Sequence, residues 1–315
     1  MKQKRVKGDL HPRTVRERSL TFKTLGLLAV VALIATSTTF MLPIPIDNIL
    51  PQTGPQKGER LVGAYYYVWY TEGWKVEDDT PLLGYYSSDN NSVIRVHLEL
   101  AAMAAIDFLA ISWSDNLKWH EGKTALVCDK VFNIDDEMGS PVKLAIMIEY
   151  WHGEFLNLSE SANTIYARYA SKPSYFKLYG KPLLFVYTLD DYSPPKWNDS
   201  RFTVRYVPLE VPYGKDTFLE RSIQNRTTYE FTGVSPHRDN LHIDRDRANG
   251  YHYSEIWNHA IQFGELAAEK PVVVMIGTFN EWWESTSIEP SVNYGFQYLD
   301  LTRNFIVKFK HKTSS

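Results

Sequence analysis

Short, nearly unbroken apolar runs rich in β-branched and aromatic residues recur along this chain. They are LVGAYYYVWY (61 to 70), DFLAISW (107 to 113), VKLAIMIEYW (142 to 151), PLLFVYT (182 to 188), FTVRYVPL (202 to 209), YEFTGVSP (229 to 236) and PVVVMIGTFNEWW (271 to 283). Most carry no polar stripe, as strands buried on both faces should not. Helical stretches lie between several of them: SVIRVHLELAAMAA before the second, SANTIYARYAS before the fourth and YSEIWNHAIQFGELAAEK before the last. Alternating strand and helix implies a parallel sheet, either closed as a barrel or open and doubly wound. No glycine-rich phosphate turn follows any run, which counts against a nucleotide-binding open sheet. About 255 residues follow the first of these runs' start, the usual size of a (β/α)8 barrel. The expected fold is therefore α/β, a (β/α)8 TIM-like barrel over residues 61–315. Seven runs are counted rather than eight, and Glu210 to Thr228 is where one βα unit looks shortened or lost.

The N-terminus reads differently. The first 23 residues carry eight lysines and arginines against Asp9 and Glu17, a local balance of +6. From Thr24 to Ile46 no side chain ionises, and the apolar run beginning at Leu25 is about the length that spans a bilayer core. A basic cytoplasmic tail (1–23), a transmembrane anchor or uncleaved signal (24–46) and a proline-rich linker (47–60) are expected, in that order. The flanking charges put the domain after the anchor outside the cytoplasm, as a single-pass membrane protein. A cleaved signal peptide is the rival, although its basic region would be long and no clean A-x-A site follows.

Removing the +6 of the tail from the formal net charge of −3 leaves about −9 on the rest. Nucleic acid is thereby excluded as a partner, since phosphate binding needs a basic footprint. Cys128 is the single cysteine, so neither a disulfide framework nor a thiolate zinc cluster can form. Four N-x-S/T sequons, at Asn90, Asn157, Asn198 and Asn225, are compatible with an exported, glycosylated surface.

Polar residues gather at the C-terminal ends of the runs, the end where barrels build their sites. Trp69 and Tyr70 end the first, Trp113 the second, and Glu149, Tyr150 and Trp151 the third; the last runs into Phe279, Asn280, Glu281, Trp282, Trp283 and Glu284. Aromatic faces stack on sugar rings and lower local polarity. Desolvation and mutual repulsion then drive neighbouring carboxyl pKa values apart, leaving one group as acid and the other as base. Glycosidic bond cleavage uses such a pair, which makes Glu281 and Glu284 the catalytic candidates. Substrate contacts are expected from Tyr66, Trp69, Trp113, Glu149 and Tyr150, and from Arg247, Tyr251, Asn280, Trp282 and Trp283. Glu149 could instead be a structural partner of Arg247, and Arg247, Asn249 and Tyr251 could merely pin a loop. Glu289 is read as holding loop geometry. Asp244 and Asp246 with Gly250 suggest a calcium loop only faintly, because an arginine interrupts the carboxylates. His237 and His242 lack zinc-site spacing, and Ser112 and Ser114 lack a nucleophile elbow. No metal and no cofactor is expected.

GTFNEWWESTSIEP followed by NYGFQYLDLTRNF resembles the C-terminal signature of glycoside hydrolase family 99, the endo-α-mannosidases and endo-α-mannanases, and of related family 71/99-like barrels. GAYYYVWYTEGW, AIDFLAISWSD, IMIEYWHG and DRDRANGYHYSEIWNHAI agree in order, so the resemblance covers most of residues 61 to 308. It implies a retaining, metal-independent, endo-acting α-glycoside hydrolase of mannose-containing or related glycans, with an oligosaccharide or polysaccharide as its partner. It further implies that Glu281 is the general base and Glu284 the general acid. The implied route passes through a 1,2-anhydro sugar formed by the substrate's own 2-hydroxyl. The chain departs from the family pattern at Trp283, where a histidine is frequent, and at Tyr150 and Val68, where prolines are expected. These departures leave the glycan open. Alternative readings are a polysaccharide-assembly or transglycosylating enzyme and a non-catalytic glycan-binding barrel.

Overall fold

The computed structural model describes residues 59–115, 123–150, 157–188, 197–208, 231–234, 247–266 and 272–311. Its strands are β1 (Arg60–Tyr66), β2 (Phe108–Trp113), β3 (Lys143–Tyr150), β4 (Lys177–Leu178), β5 (Lys181–Thr188), β6 (Thr203–Pro208), β7 (Phe231–Val234) and β8 (Val272–Ile276). Its helices are α1 (Asn91–Met103), α2 (Lys123–Glu137), α3 (Leu158–Tyr169), α4 (Tyr251–Leu266) and α5 (Gln297–His311). Each of the seven apolar runs forms a strand, and each of the three helical stretches forms a helix. The sheet runs β6-β5-β3-β2-β1-β8-β7 with every one of these pairs parallel. The two-residue β4 lies antiparallel against the start of β5.

Among the described residues β6 and β7 stand at opposite edges of the sheet, and the chain between them, with the expected shortened unit at 210–228, lies outside those residues. This strand order is that of a TIM-like barrel. The expected tail (1–23), the expected span (24–46) and all but the end of the expected linker (47–60) also lie outside the described residues, as do Trp151, Asn225, His237, His242, Asp244 and Asp246. No helix among the described residues is long and apolar enough to cross a membrane.

Successive side chains of a strand face opposite ways, and here both ways are apolar. One set, Val62, Ala64, Leu109, Ile111, Ile146, Ile148, Val186 and Val274, packs against Ile94, Leu98, Cys128, Phe132, Ile165, Trp257 and Ile306 of the helices. The other, Leu61, Phe108, Ala110, Ala145, Met147, Leu183, Phe185, Val273 and Met275, fills the concave side of the sheet. The filling is tight. A Cβ on Gly63 would lie 2.4 Å from the Phe108 ring and 2.8 Å from Met275 Sδ, so only glycine fits there. Phe108 in turn stacks on Phe176 with ring centroids 4.2 Å apart. With its lower part packed solid, the interior can open only at the C-terminal ends of the strands.

Two of the sequon asparagines have a local structural task. Asn90 caps α1, its side chain accepting from Ser92 N at 2.9 Å. Asn157 caps α3, accepting from Ser159 N at 3.1 Å and Glu160 N at 3.4 Å. Asparagine is among the preferred residues at that position because its oxygen satisfies otherwise orphaned helix donors.

Candidate active site

The chain leaving β8 folds into a closed turn. Thr278 N donates to Thr286 O at 3.0 Å, Thr286 N to Glu281 O at 3.2 Å, and Glu289 N to Phe279 O at 2.9 Å. Phe279 N reaches Tyr65 O at 2.8 Å, which seats the turn on the end of β1. Arg247, 5% exposed, donates from Nη1 to Ser287 O at 2.9 Å and from Nη2 to Ser285 O at 2.7 Å. Its guanidinium lies 5.2 Å from the Tyr294 ring centre and 4.6 Å from that of Tyr298. Arg247 therefore pins the turn from outside.

Within the turn Glu281 and Glu284 have different surroundings. Glu281 is 3% exposed, whereas Glu284 is exposed. Glu281 Oε1 accepts from Trp283 N at 2.9 Å. The Tyr70 hydroxyl faces Asn280 O at 2.9 Å and Glu281 Oε1 at 3.3 Å; its single hydrogen serves one of them at a time. Burial, and then the charge of Glu284, push the Glu281 carboxyl up to about 8, with Glu149 adding to the rise and the Trp283 and Tyr70 donors opposing it. Removing a carboxylate from water without a cation beside it favours the protonated form.

Glu149, 2% exposed, belongs to the concave side: its register partner on β5 is Tyr187, and Met147 is two residues before it. Burial raises the Tyr187 phenol, and the charges of Glu149, Glu284 and Glu281 raise it further. The Tyr67 phenol is raised by burial and then by Glu149, Tyr187, Glu281 and Glu284. Two phenols thus share the field of the same three carboxyl groups at the barrel mouth. Rings lead from this cluster outward. Tyr67 and Trp69 have centroids 4.3 Å apart, and Trp69 stacks on Trp283 at 6.0 Å with 27° between planes. Trp283 is 44% exposed, a tryptophan face open to solvent beside the carboxyl pair.

Of the residues expected to contact substrate, the structure brings Trp69, Glu149 and Trp283 to this mouth with Glu281 and Glu284. The others are placed elsewhere. Tyr66 and Trp113, 1% and 0% exposed, sit in the core between sheet and helices, and Tyr150 packs against that same core. The reason is parity: they alternate with Tyr67, Ser112 and Glu149, which face the interior. Asn280 spends its side chain on the backbone of Tyr67, accepting from Tyr67 N and donating to Tyr67 O, each at 2.8 Å. Trp282 is 2% exposed, its indole Nε1 donating to Glu289 Oε2 at 2.9 Å. Tyr251 is 60% exposed on α4 and bonds Glu255. Asn249 bonds Gln297. Tyr67, Tyr70 and Tyr187 also lie at this mouth, although none of them was expected to contact substrate. The sequence carries a signal for Tyr187 alone: it follows Leu183 and Phe185 in steps of two, and its partner across the register is Glu149, the lone carboxyl of β3.

Comparison with known proteins agrees with this fold. Residues 76–205 match Glycosyl hydrolase family 99, a stretch that ends before Glu281 and Glu284. A glycoprotein endo-alpha-1,2-mannosidase of Mus musculus is 24% identical over 303 aligned residues, covering 73% of this chain and 63% of that protein. The Rattus norvegicus protein of the same name is 22% identical over 272, covering 67% and 56%. The chain thus spans less than two thirds of the length of these curated relatives. Among solved structures, a GH99 endo-alpha-mannosidase from Bacteroides thetaiotaomicron in complex with BIS-TRIS-Propane superposes with a TM-score of 0.62 at 21% identity, covering 79% of this chain and 97% of that one. A second structure of a GH99 endo-alpha-mannosidase from that organism gives 0.56 at 19% identity with the same coverage. The chain is therefore similar to glycosyl hydrolase family 99 over residues 76–205, and its fold is that of the solved GH99 endo-alpha-mannosidases.

Proposed function

We propose that this barrel is an endo-acting glycoside hydrolase of mannose-containing or related glycans, with Glu281 and Glu284 as its proton-transferring pair. The observation that carries the reading is Glu281: a carboxyl at the end of β8, buried, drawn up to about 8, beside a solvent-open tryptophan. A binding protein gains nothing from burying a carboxyl in that state. An enzyme that must move a proton to and from weakly acidic sugar hydroxyls gains a base stronger than an ordinary carboxylate.

In the route we favour, ionised Glu281 takes the proton of a sugar 2-hydroxyl, whose oxygen attacks C1 of the same ring. Glu284 gives its proton to the departing glycosidic oxygen as the C1–O bond breaks. Water then attacks C1 of the resulting 1,2-anhydro sugar and passes its proton to Glu284, while Glu281 returns a proton to O2. Two displacements at C1 retain its configuration. The free site weights the shared proton toward Glu281, so the form that turns over is the other tautomer of a singly protonated pair. With Glu281 Oε1 taken up by donors, Oε2 is the oxygen that carries and accepts that proton. Glu149, Tyr67 and Tyr187 surround the reacting ring, and Trp283 stacks beneath a neighbouring one.

Glu281→Gln and Glu284→Gln, assayed on a panel of defined α-mannosides and related oligosaccharides, test the reading. Turnover should fall at least about 100-fold in each while oligosaccharide binding persists; unchanged turnover in both excludes the mechanism. For the N-terminus we propose the single-pass anchor at 24–46 with the barrel outside the cytoplasm. Carbonate-resistant membrane retention of the full chain supports it, and release into the soluble fraction refutes it.

A further inference from the structure

Beneath the catalytic turn, on the side away from the mouth, buried polar groups from three parts of the chain meet in a circuit that the reaction above does not use. His97 on α1 places Nε2 3.1 Å from Glu289 Oε1, and the two side chains are 1% and 0% exposed. Its other ring nitrogen, Nδ1, lies 3.0 Å from the Tyr66 hydroxyl. The second oxygen of Glu289 accepts from the Tyr86 hydroxyl at 2.7 Å and from Trp282 Nε1 at 2.9 Å. Tyr86 also receives Asn280 Nδ2 at 3.4 Å. Proton assignment is forced once Glu289 is ionised, because a carboxylate only accepts. Nε2–H then points at Glu289; Nδ1 accepts from the Tyr66 hydroxyl when the ring is neutral and donates to it when the ring is protonated. Among the described residues His97 is the only ionisable group forming an ion pair with Glu289.

Trp282 links this circuit to the chemistry. It stands in the chain between Glu281 and Glu284, and it is held at both ends: the indole by Glu289, and the backbone N–H by the Tyr70 hydroxyl at 2.9 Å. That hydroxyl is the one facing Glu281 Oε1. We propose that Glu289, oriented by His97, is a positioning residue for the catalytic pair: it fixes Trp282 and so sets both the aim of Glu281 and its isolation from water. The proposal rests on the glycosidase reading for its kinetic consequence but not for its structural one. Positioned groups held to within a fraction of an ångström by buried partners are what fast proton transfer requires.

The experiment follows the Glu281 carboxyl by 13C NMR in protein labelled at glutamate side chains, from pH 4 to 10, with Glu281→Gln to assign the signal. It compares wild type, Glu289→Leu, His97→Gln and His97→Leu, and measures kcat and KM in parallel. In Glu289→Leu no acceptor is left for the Trp282 indole, the Tyr86 hydroxyl or His97 Nε2, so Trp282 loosens and water reaches Glu281. Its titration midpoint should drop by at least about one pH unit, and kcat by at least about tenfold with KM within about threefold. His97→Leu should reproduce both effects. His97→Gln, whose amide can still donate to Glu289, should restore most of each. An unmoved midpoint and unmoved kcat in folded Glu289→Leu and His97→Leu overturn the proposal, as does a loss confined to thermal stability. The titration needs no substrate, so a shifted midpoint in a protein with no glycosidase activity would uphold the positioning role while removing the activity reading.

Discussion

The side-chain amide of Asn280 pairs with the backbone of Tyr67 in both directions, Oδ1 to N–H and Nδ2 to C=O, each at 2.8 Å. β1 ends at Tyr66, and this side chain stands in for the next ladder partner. It fixes Tyr67, whose phenol faces the three carboxyl groups, by way of a residue whose own neighbour in sequence is Glu281. Asn280→Ala leaves two buried backbone groups unpaired, at about 1–3 kcal/mol each when no water enters. The expected outcome is a melting temperature lower by about 5–10 °C together with a loss of turnover larger than the loss of sugar affinity. Calorimetry and steady-state kinetics on the same preparation check both.

Glu281 also predicts an inverted stability profile. Its folded value, about 8, lies above that of a glutamate in the unfolded chain, so the folded state holds a proton that the unfolded state has released. Stability contributed by this group is therefore present below about pH 4 and is lost as pH rises toward 8. Each pH unit of that gap is worth about 1.4 kcal/mol, a few kcal/mol in all. Glu281→Gln, neutral at every pH, should melt higher than wild type at pH 8.5 and close to it at pH 5. A variant equally stable at both pH values, relative to wild type, contradicts the burial argument.

Trp283 offers its face at the mouth and contributes little to the core. Trp283→Ala should weaken oligosaccharide binding by about 1 kcal/mol, five- to tenfold, through loss of ring stacking. Its melting temperature should stay within about 2 °C of wild type. Titration calorimetry with a non-hydrolysed oligosaccharide measures the first, and a thermal scan the second.

Parity separates residues that look alike in the sequence. Tyr67→Phe removes a hydroxyl from among Glu149, Glu281 and Glu284 and should lower kcat about tenfold or more. Trp113→Phe, in the core between sheet and helices, should lower the melting temperature and leave KM within about twofold. Kinetics that reverse this order would place the mouth on the other face of the strands.

The strands were legible because burial on both sides leaves almost no polar residue in them, and that same property hid which side was inward. In YYYVWY every position is large and apolar, so nothing in the segment distinguishes Tyr66 from Tyr67; Glu149 marks the inward face of β3 alone. The helices read from the sequence were those with clear apolar stripes. α2, whose Asp129, Asp135 and Asp136 interrupt the pattern, and α5, which follows the turn after β8, came only with the structure. The carboxyl pair was legible because two glutamates and two tryptophans occupy four positions at the end of a strand. The roles of Asn280, Trp282 and Glu289 as fasteners were harder to read, since each depends on a partner about 200 residues away in Tyr67, Tyr70 and Tyr86.

The central claim is that one proton, shared by Glu281 and Glu284, does the chemistry. The pH dependence of kcat/KM on a defined α-mannoside, measured from pH 4 to 10 in the wild-type protein, tests it most directly. Below about 8 the pair keeps that proton; above it both groups are ionised and no acid is left. Above pH 8 kcat/KM should fall about tenfold per pH unit. Activity that stays level to pH 10 would contradict it.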